Sequence, residues 1–490
     1  MAASKELEPT QNQLHVLMVT LSAQGHINPL LRLANSLISK NLHVTFATTQ
    51  ALYHRMFNSS STAAAAAAPT SITINGFQVL FFSDGFNSHE ERSKNTDIDH
   101  YMESIESSGP TSVSDLVRTH FSERRRQLAC IVNTPFVPWV ADVAAELGIP
   151  CACLWIQPCA LYAIYYHRFV ANLAEEFSRD AVELPGFPLL QPRDLPSFLL
   201  PSNPFGSFSK MLEEMFQKKI KDGKFRWVLA NSFYDLEKDV IDSMALLSPI
   251  LPVGPLVPSS LLTHDDQGVD EKQDVGIEMW KAQESCMEWL SNKAPCSVIY
   301  ISFGSLIVLS SKDIESIANA LKKSKRHFLW VMKVPEREAS SGAGQLPLGF
   351  LEETKEQGLV VSWCPQTKVL SHPSIACFLT HCGWNSMLEA ISAGIPMVAY
   401  PKWTDQPTNA KLLTDVFQTG TRLWPDRDGV VGSEEVERAI EEVVGGPRSE
   451  EIKKNAERLK RAAREAVADG GSSDRAIQSF VDEIIGSYRG

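Results

Sequence analysis

The feature that most constrains this chain is a repeated pairing of short β-branched, apolar runs with stretches of helical spacing. His15–Leu21 (HVLMVTL) is the first such run. Leu30, Leu31, Ala34, Leu37 and Ile38 then fall on one helical face, and Leu42–Thr48 (LHVTFAT) is an extended run again. Asn28 suits the cap of that first helix and Pro29 its first turn. Gln78–Phe82, Cys130–Val132 and Cys151–Ile156 continue the series. Strands that alternate with helices are joined by crossovers, and the sheet they build is parallel, with helices on both faces.

The alternation stops and then restarts. Pro252-Val-Gly-Pro255 and Pro258-Ser-Ser260 precede a polar, acidic stretch, Thr263–Asp274. Beyond it Ser297–Phe303 reads as a strand and Asp313–Leu321 as a helix. His327–Met332, Leu359–Trp363, Ala376–Thr380 and Ile395–Tyr400 read as further strands. The expected fold class is therefore α/β, with two doubly wound domains facing a cleft. The expected boundaries are residues 1–250, a linker at 251–275, a second domain at 276–465, and a closing helix at 466–490 that returns toward the first domain. Clefts at strand carboxyl ends are where such folds bind ligands. Residues 58–70, which include Ala63–Ala68, read as a surface loop.

Composition narrows the partners. The net charge of −12 and a pI near 5.6 argue against nucleic acid, which needs clustered Lys and Arg. Arg124-Arg125-Arg126 fits a solvated helix face. Met1–Gln13 is polar, with no apolar core of a secretory signal, and no window nears the ~18 apolar residues of a membrane-spanning helix. The nine cysteines form no CxxC pair, and Cys151-Ala-Cys153 lies in an apolar run. The expectation is a reduced, cytoplasmic protein without membrane insertion.

The segment Trp363–Gln406 carries the chemistry. Its strand Ala376–Thr380 runs into His381-Cys-Gly383-Trp384-Asn385-Ser386 and then a helix that stops at Gly394. Asn385 and Ser386 fall where a helix exposes unpaired N–H groups, a site for phosphate, and Gly383 would permit a sharp turn. His381 can donate to the same phosphates. Glu389, about one turn on, can accept from a ribose diol. Asp405 and Gln406, past the next strand, offer acceptors and a donor for sugar hydroxyls. Trp363 offers a flat face for a base. In chain order these supply a base platform, a phosphate cradle, a ribose acceptor and a sugar clamp.

This segment, WCPQTKVLSHPSIACFLTHCGWNSMLEAISAGIPMVAYPKWTDQ, resembles the signature box of the plant secondary-product UDP-glycosyltransferases. The similarity extends to His15–Pro29, Trp227–Glu237 (WVLANSFYDLE), Leu251–Pro255 and Gly470-Gly-Ser-Ser473. The Trp403-Thr-Asp405-Gln406 and NSFYDLE segments are most similar to the branch with many glucose-ester-forming enzymes. The resemblance implies the two-domain GT-B architecture, with acceptor in the first domain and UDP-sugar in the second. It implies that Trp363 stacks on uracil, that Cys364 and Gln366 hold its edge, and that Glu389 binds the ribose. Ser305, His381, Asn385 and Ser386 would bind the diphosphate, and Trp384, Asp405 and Gln406 the sugar. Two positions depart from the family pattern: Met387 stands where Thr is common, and Ser22 where Pro is frequent.

The resemblance also makes His26 the base that deprotonates the acceptor. A helix N-terminus disfavours imidazolium, so a His beside one stays neutral and able to take a proton. Attack opposite the phosphate would turn an α-linked UDP-sugar into a β-glycoside. In many similar enzymes an Asp pairs with this His. Here Thr134 occupies the matching place, after Asn133, and carries no compensating charge, so ionised or acidic acceptors should suffer least. Thr134 and Trp139 are the candidates on the acceptor side. UDP-glucose and a small plant phenol or carboxylic acid are the expected reactants. No metal and no further cofactor are expected, since Asp97-Ile-Asp99 and Asp426-Arg-Asp428, though DxD in pattern, lie in polar surroundings. Attack through carbon of an electron-rich phenol, and a nucleotide-sugar-binding protein without turnover, stay open. A nicotinamide enzyme would need a GxGxxG turn, and none is present.

Overall fold

In the computed structural model the residues described are 14–57, 70–86, 91–92, 97–171, 173, 175–203, 205–263, 276–277, 283, 285–305, 307–332, 344–427 and 429–489. The N-terminal tail, the alanine run, most of the acidic stretch and Asp428 lie outside them.

Eight strands form the first sheet: β1 (Leu14–Val19), β2 (His43–Thr49), β3 (Ser71–Ile74), β4 (Phe77–Phe82), β5 (Gln127–Asn133), β6 (Cys151–Trp155), β7 (Trp227–Ala230) and β8 (Leu251–Pro252). Their order is β3-β4-β2-β1-β5-β6-β7-β8. All neighbours are parallel except β3 and β4, an antiparallel hairpin turned by Asn75-Gly76, both with positive φ. The second sheet has β9 (Val298–Ser302), β10 (His327–Val331), β11 (Gly358–Val361), β12 (Ile375–Thr380), β13 (Met397–Ala399) and β14 (Gly420–Arg422). Its order is β11-β10-β9-β12-β13-β14, and every pairing is parallel. β8 falls in the stretch read from sequence as linker, so the first sheet runs past residue 250.

The strands are continuous apolar runs because both faces are covered. One face of the first sheet packs against Leu30, Leu33 and Leu37 of the helix Gln24–Ser39. Phe480 and Ile484 of the last helix, Ser472–Arg489, join the same core, so the chain's end lies on the first domain. Trp227 Nε1 donates to Glu483 at 2.7 Å and Ser473 Oγ to the Gly254 carbonyl at 2.5 Å, which fixes that helix. No described helix is long and apolar enough to cross a membrane.

In each sheet the chain winds outward in both directions from a central pair, β1 with β5 and β9 with β12. A crevice opens at the carboxyl ends of such pairs, and this is where doubly wound folds place ligands. His26 and Thr134 follow β1 and β5. Ser305 and His381 follow β9 and β12.

The first helix departs from the sequence reading. It begins at Gln24, with Ala23 as a cap that makes no side-chain bond, and not at Asn28. Asn28 instead pairs with the backbone of Ile277, accepting from its N–H at 2.9 Å. Pro29 lies inside the helix. Having no N–H, it leaves the Gly25 carbonyl without its α-helical donor. Asn385, from the second domain, donates to that carbonyl at 2.8 Å.

Two further links join the domains. Asn231, fully buried, accepts the Trp384 indole N–H on its carbonyl at 2.7 Å. Its side chain donates to Asn385 Oδ1 at 3.4 Å and accepts from Leu256 N at 2.7 Å. The neighbouring Ser232 donates to Glu237, whose buried carboxylate caps the helix Cys159–Phe169 by accepting from Cys159 N and Ala160 N at 3.0 and 2.8 Å. Between the segment before Ser197 and the end of β14, Asp194 and Arg422, 2% and 8% exposed, form an ion pair at 2.8 Å. Breaking a buried pair strands a charge, at about 3–5 kcal/mol, whereas an apolar pair of similar volume is nearly neutral. Asp194→Ala should therefore lower the urea midpoint of the first unfolding transition by that equivalent, and D194L/R422M should recover most of it.

Candidate functional site

The site is built on the loop between β12 and the helix Trp384–Ala393. That helix has Gly383 at its cap and no side-chain cap, so the amides of Trp384, Asn385 and Ser386 stay open for an anion. Gly383 has ordinary extended angles, φ −62° and ψ 136°. The turn expected of it is made by Cys382, at φ 64°. Glycine is needed at 383 for room: a Cβ there would lie 2.4 Å from His381 Nε2. A Cβ on Gly304, after β9, would lie 2.9 Å from the same ring. Two glycines thus leave the imidazole a slot between the loops. Burial lowers the His381 pKa to about 4, opposed in part by the Ser302 carbonyl.

A cleft of about 910 Å³ opens in front of this helix, between the domains. Every donor-side residue singled out in sequence lines it except Asp405 and Gln406. Trp363 stands half-buried on its wall at the end of β11. Gln366 is held on three sides. Tyr300 donates to its Oε1 at 3.0 Å, and its Nε2 donates to Ser386 Oγ at 3.0 Å and Glu389 Oε2 at 2.8 Å. Glu389 is thus oriented into the cleft with one oxygen held. Cys364 is buried and its Sγ lies 3.4 Å from the Tyr300 hydroxyl. Tyr300 was invisible in sequence, one aromatic in an apolar strand.

Asp405 and Gln406 sit beside the cleft, 7% and 5% exposed. Gln406 Oε1 accepts from Lys402 N and Trp403 N at 2.9 and 3.2 Å. Asp405 accepts from Thr404 Oγ1 and Asn409 Nδ2, both at 2.7 Å, and burial raises its pKa. Both side chains are therefore rigid, with spare acceptor and donor capacity for a hydroxyl. Trp384 departs from the expectation of a sugar-holding side chain. Its ring is 3% exposed and its N–H is spent on Asn231, so what it offers a ligand is its backbone amide. Asn385 likewise spends its side chain across the domain boundary. Met387 is fully buried and packs, and Ser22, buried too, bonds Thr49.

Across the cleft, Gln24, Gly25 and Asn28 of the helix Gln24–Ser39 line it, and His26 lies in the first turn of that helix, not ahead of it. Its Nδ1 is 3.4 Å from Thr134 Oγ1, and Thr134 Oγ1 is 2.9 Å from Thr20 Oγ1. Both threonines are buried. The Phe136 ring packs 5.0 Å from the imidazole. Burial lowers the His26 pKa to about 4, and no carboxylate among the described residues opposes it. Thr134, 0% exposed, thus meets His26 and Thr20. Trp139 is 7% exposed, packed edge-on against Phe82 and close over Gly109.

The first DxD pattern has structural work. Asp97 caps the helix Ile98–Val117, accepting from Asp99 N and His100 N, and Asp99 accepts from Ser207. In the second, Asp426 accepts from Val430 N.

This geometry can be set beside known proteins. Residues 12–258 match the family model described as "Glycosyltransferase, N-terminal domain", and residues 261–467 that described as "UDP-glucoronosyl and UDP-glucosyl transferase". A limonoid UDP-glucosyltransferase of Citrus unshiu is 40% identical over 485 residues, 97% of this chain and 90% of that protein. A gallate 1-beta-glucosyltransferase of Quercus robur is 40% identical over 478 residues, 96% of this chain and 90% of that protein. The crystal structure of Os79 from O. sativa in complex with UDP superposes with a TM-score of 0.83 at 31% identity, covering 96% of this chain and all of that one. A cleft of about 910 Å³ between the domains, faced by an open helix N-terminus and bordered across it by the helix turn that carries a neutral histidine, belongs here to a UDP-glycosyltransferase of the UDP-glucuronosyl and UDP-glucosyl transferase family.

Proposed function

We propose that this enzyme transfers glucose, with inversion, from UDP-glucose to a small plant metabolite bearing a carboxyl group or an acidic phenol. The observation that carries the acceptor class is the His26–Thr134–Thr20 relay. A hydroxyl can accept the Nδ1 proton and so fix the tautomer that leaves Nε2 free as a base. It cannot balance the charge of an imidazolium, the task of a carboxylate in a triad. Burial adds to the penalty, and the conjugate acid is left with a pKa near 4. Such a base removes a proton readily only from a group that gives it up easily. A carboxylate needs no deprotonation at all. The Quercus robur relative named for gallate accords with this reading.

The donor would lie with its base on Trp363, its uracil edge on Cys364 and Gln366, and its ribose diol on Glu389. The diphosphate would meet Ser305, His381 and the open amides at Trp384–Ser386, which offset its charge without a metal. Asp405 and Gln406 would read the hexose hydroxyls. The acceptor oxygen forms its bond to the anomeric carbon from the face opposite the phosphate. The anomeric C–O bond breaks, and its electron pair leaves with UDP. A cytoplasmic location accords with nine free cysteines, of which Cys296 alone is exposed.

Incubation with UDP-glucose and a panel of benzoates, flavonols and aliphatic alcohols, read by mass spectrometry, tests the proposal; a wild-type preference for the alcohol would defeat it. His26→Ala should lower kcat for a phenol by about 10²–10⁴-fold, the usual effect of removing a general base, with UDP affinity nearly unchanged. The neutral imidazole is lost only as pH falls through its own pKa. Phenol kcat/KM should therefore hold from pH 8 to below 6, with its acid limb near 4 and not at 6.5. Thr134→Asp should raise the alcohol-to-benzoate ratio of kcat/KM. An unchanged ratio would remove the relay as the cause of acceptor choice.

A further inference from the structure

Thr404, which precedes Asp405, has φ +59°. A β-branched residue seldom adopts that left-handed conformation unless its surroundings impose it. The surroundings here come from the other domain. Ser197, in the short turn Ser197–Leu199 of the first domain, holds the Thr404 peptide from two directions. Its N–H donates to the Thr404 carbonyl at 2.8 Å, and its Oγ accepts from Thr404 N at 2.7 Å. The segment that carries Ser197 is anchored just upstream by the buried Asp194–Arg422 pair and by Thr408 Oγ1, which donates to the Asp194 carbonyl at 2.7 Å. Phe205 packs on Trp403 with ring centroids 4.9 Å apart. The bonds that follow from the Thr404 conformation are those that orient the sugar loop: Thr404 Oγ1 to Asp405, and Lys402 N and Trp403 N to Gln406.

We propose that Ser197 is a positioning residue for the donor sugar: from the acceptor domain it holds Thr404 in its left-handed conformation and so sets Asp405 and Gln406. This deepens the reading of Asp405 and Gln406 as the hexose contacts and rests on it. The first domain then contributes to donor recognition without touching the nucleotide, and the effect of Ser197 is confined to the sugar end of UDP-glucose.

The test compares full-length variants for Kd of UDP, Kd of UDP-glucose without acceptor, and the UDP-glucose to UDP-galactose ratio of kcat/KM. Ser197→Ala removes one hydrogen bond, a loss worth about 2- to 12-fold in an equilibrium. It should weaken UDP-glucose by about 3- to 10-fold and lower the sugar ratio, with UDP within twofold of wild type. Ser197→Thr, which keeps the hydroxyl, should restore both. Asn tolerates the left-handed region better than Thr. In a Thr404→Asn background, Ser197→Ala should therefore have a clearly smaller effect. Equal weakening of UDP and UDP-glucose would make Ser197 a general pin between domains and overturn the proposal. Gln406→Ala separates the two levels. If it shifts UDP-glucose binding while Ser197→Ala does not, the positioning role is wrong. If Gln406→Ala shifts nothing, the hexose reading fails and the positioning role falls with it.

Discussion

The rest of the structure depends on the hydrogen bonds of one buried amide, Asn231. Its backbone carbonyl takes the Trp384 indole, its side chain meets Asn385, and its oxygen holds the linker at Leu256. A buried amide with unmade bonds is costly, so all three connections are enforced together. Trp384 and Asn385 are the first two residues of the helix whose amides face the cleft. The same bonds that set one domain against the other therefore aim the anion site. The missing N–H of Pro29 adds a second tie at the same place, because it leaves the Gly25 carbonyl without its α-helical donor and Asn385 donates to it from across the cleft.

The two walls of the cleft have opposite chemistry. On the donor side, open amides and a slotted, neutral His381 suit a diphosphate. On the acceptor side a half-buried His26 is backed by hydroxyls alone among the described residues. A charged partner there would strengthen the base for reluctant acceptors. Thr134 offers the imidazole a hydrogen-bond partner and no charge; under the proposed function, selectivity would then fall to the acidity of the acceptor itself. The loop that carries Asp405 and Gln406 has its Thr404 in the left-handed region, and Ser197 of the first domain bonds it; on the proposed reading, neither domain alone would define the hexose site.

Much of this was legible in the sequence. Alternating apolar runs determine a parallel, doubly wound sheet, because a strand buried on both faces leaves a signature of continuous Val, Ile and Leu. The order of residues from Trp363 to Glu389 told which side chains meet at the cleft, since strand ends and helix starts are local and a parallel sheet places them on one edge. His26 and the absence of a carboxylate at Thr134 were readable for the same reason: β1 and β5 end at the same crevice.

What the sequence left to the tertiary structure concerns groups whose partners are distant in the chain. Asn28 read locally as a cap, and the family resemblance implied a sugar-holding Trp384, but bonds to Ile277 and Asn231 claim them. Trp139 read as an acceptor-side candidate, and only the fold shows that its ring packs on Phe82 and over Gly109. Tyr300, Ser197 and the Asp194–Arg422 pair carried no local signal at all. Backbone conformation and apolar periodicity are set within a few residues, so sequence alone decides them. The destination of a polar side chain is set by whichever buried group needs a partner, and only the folded chain decides which one that is.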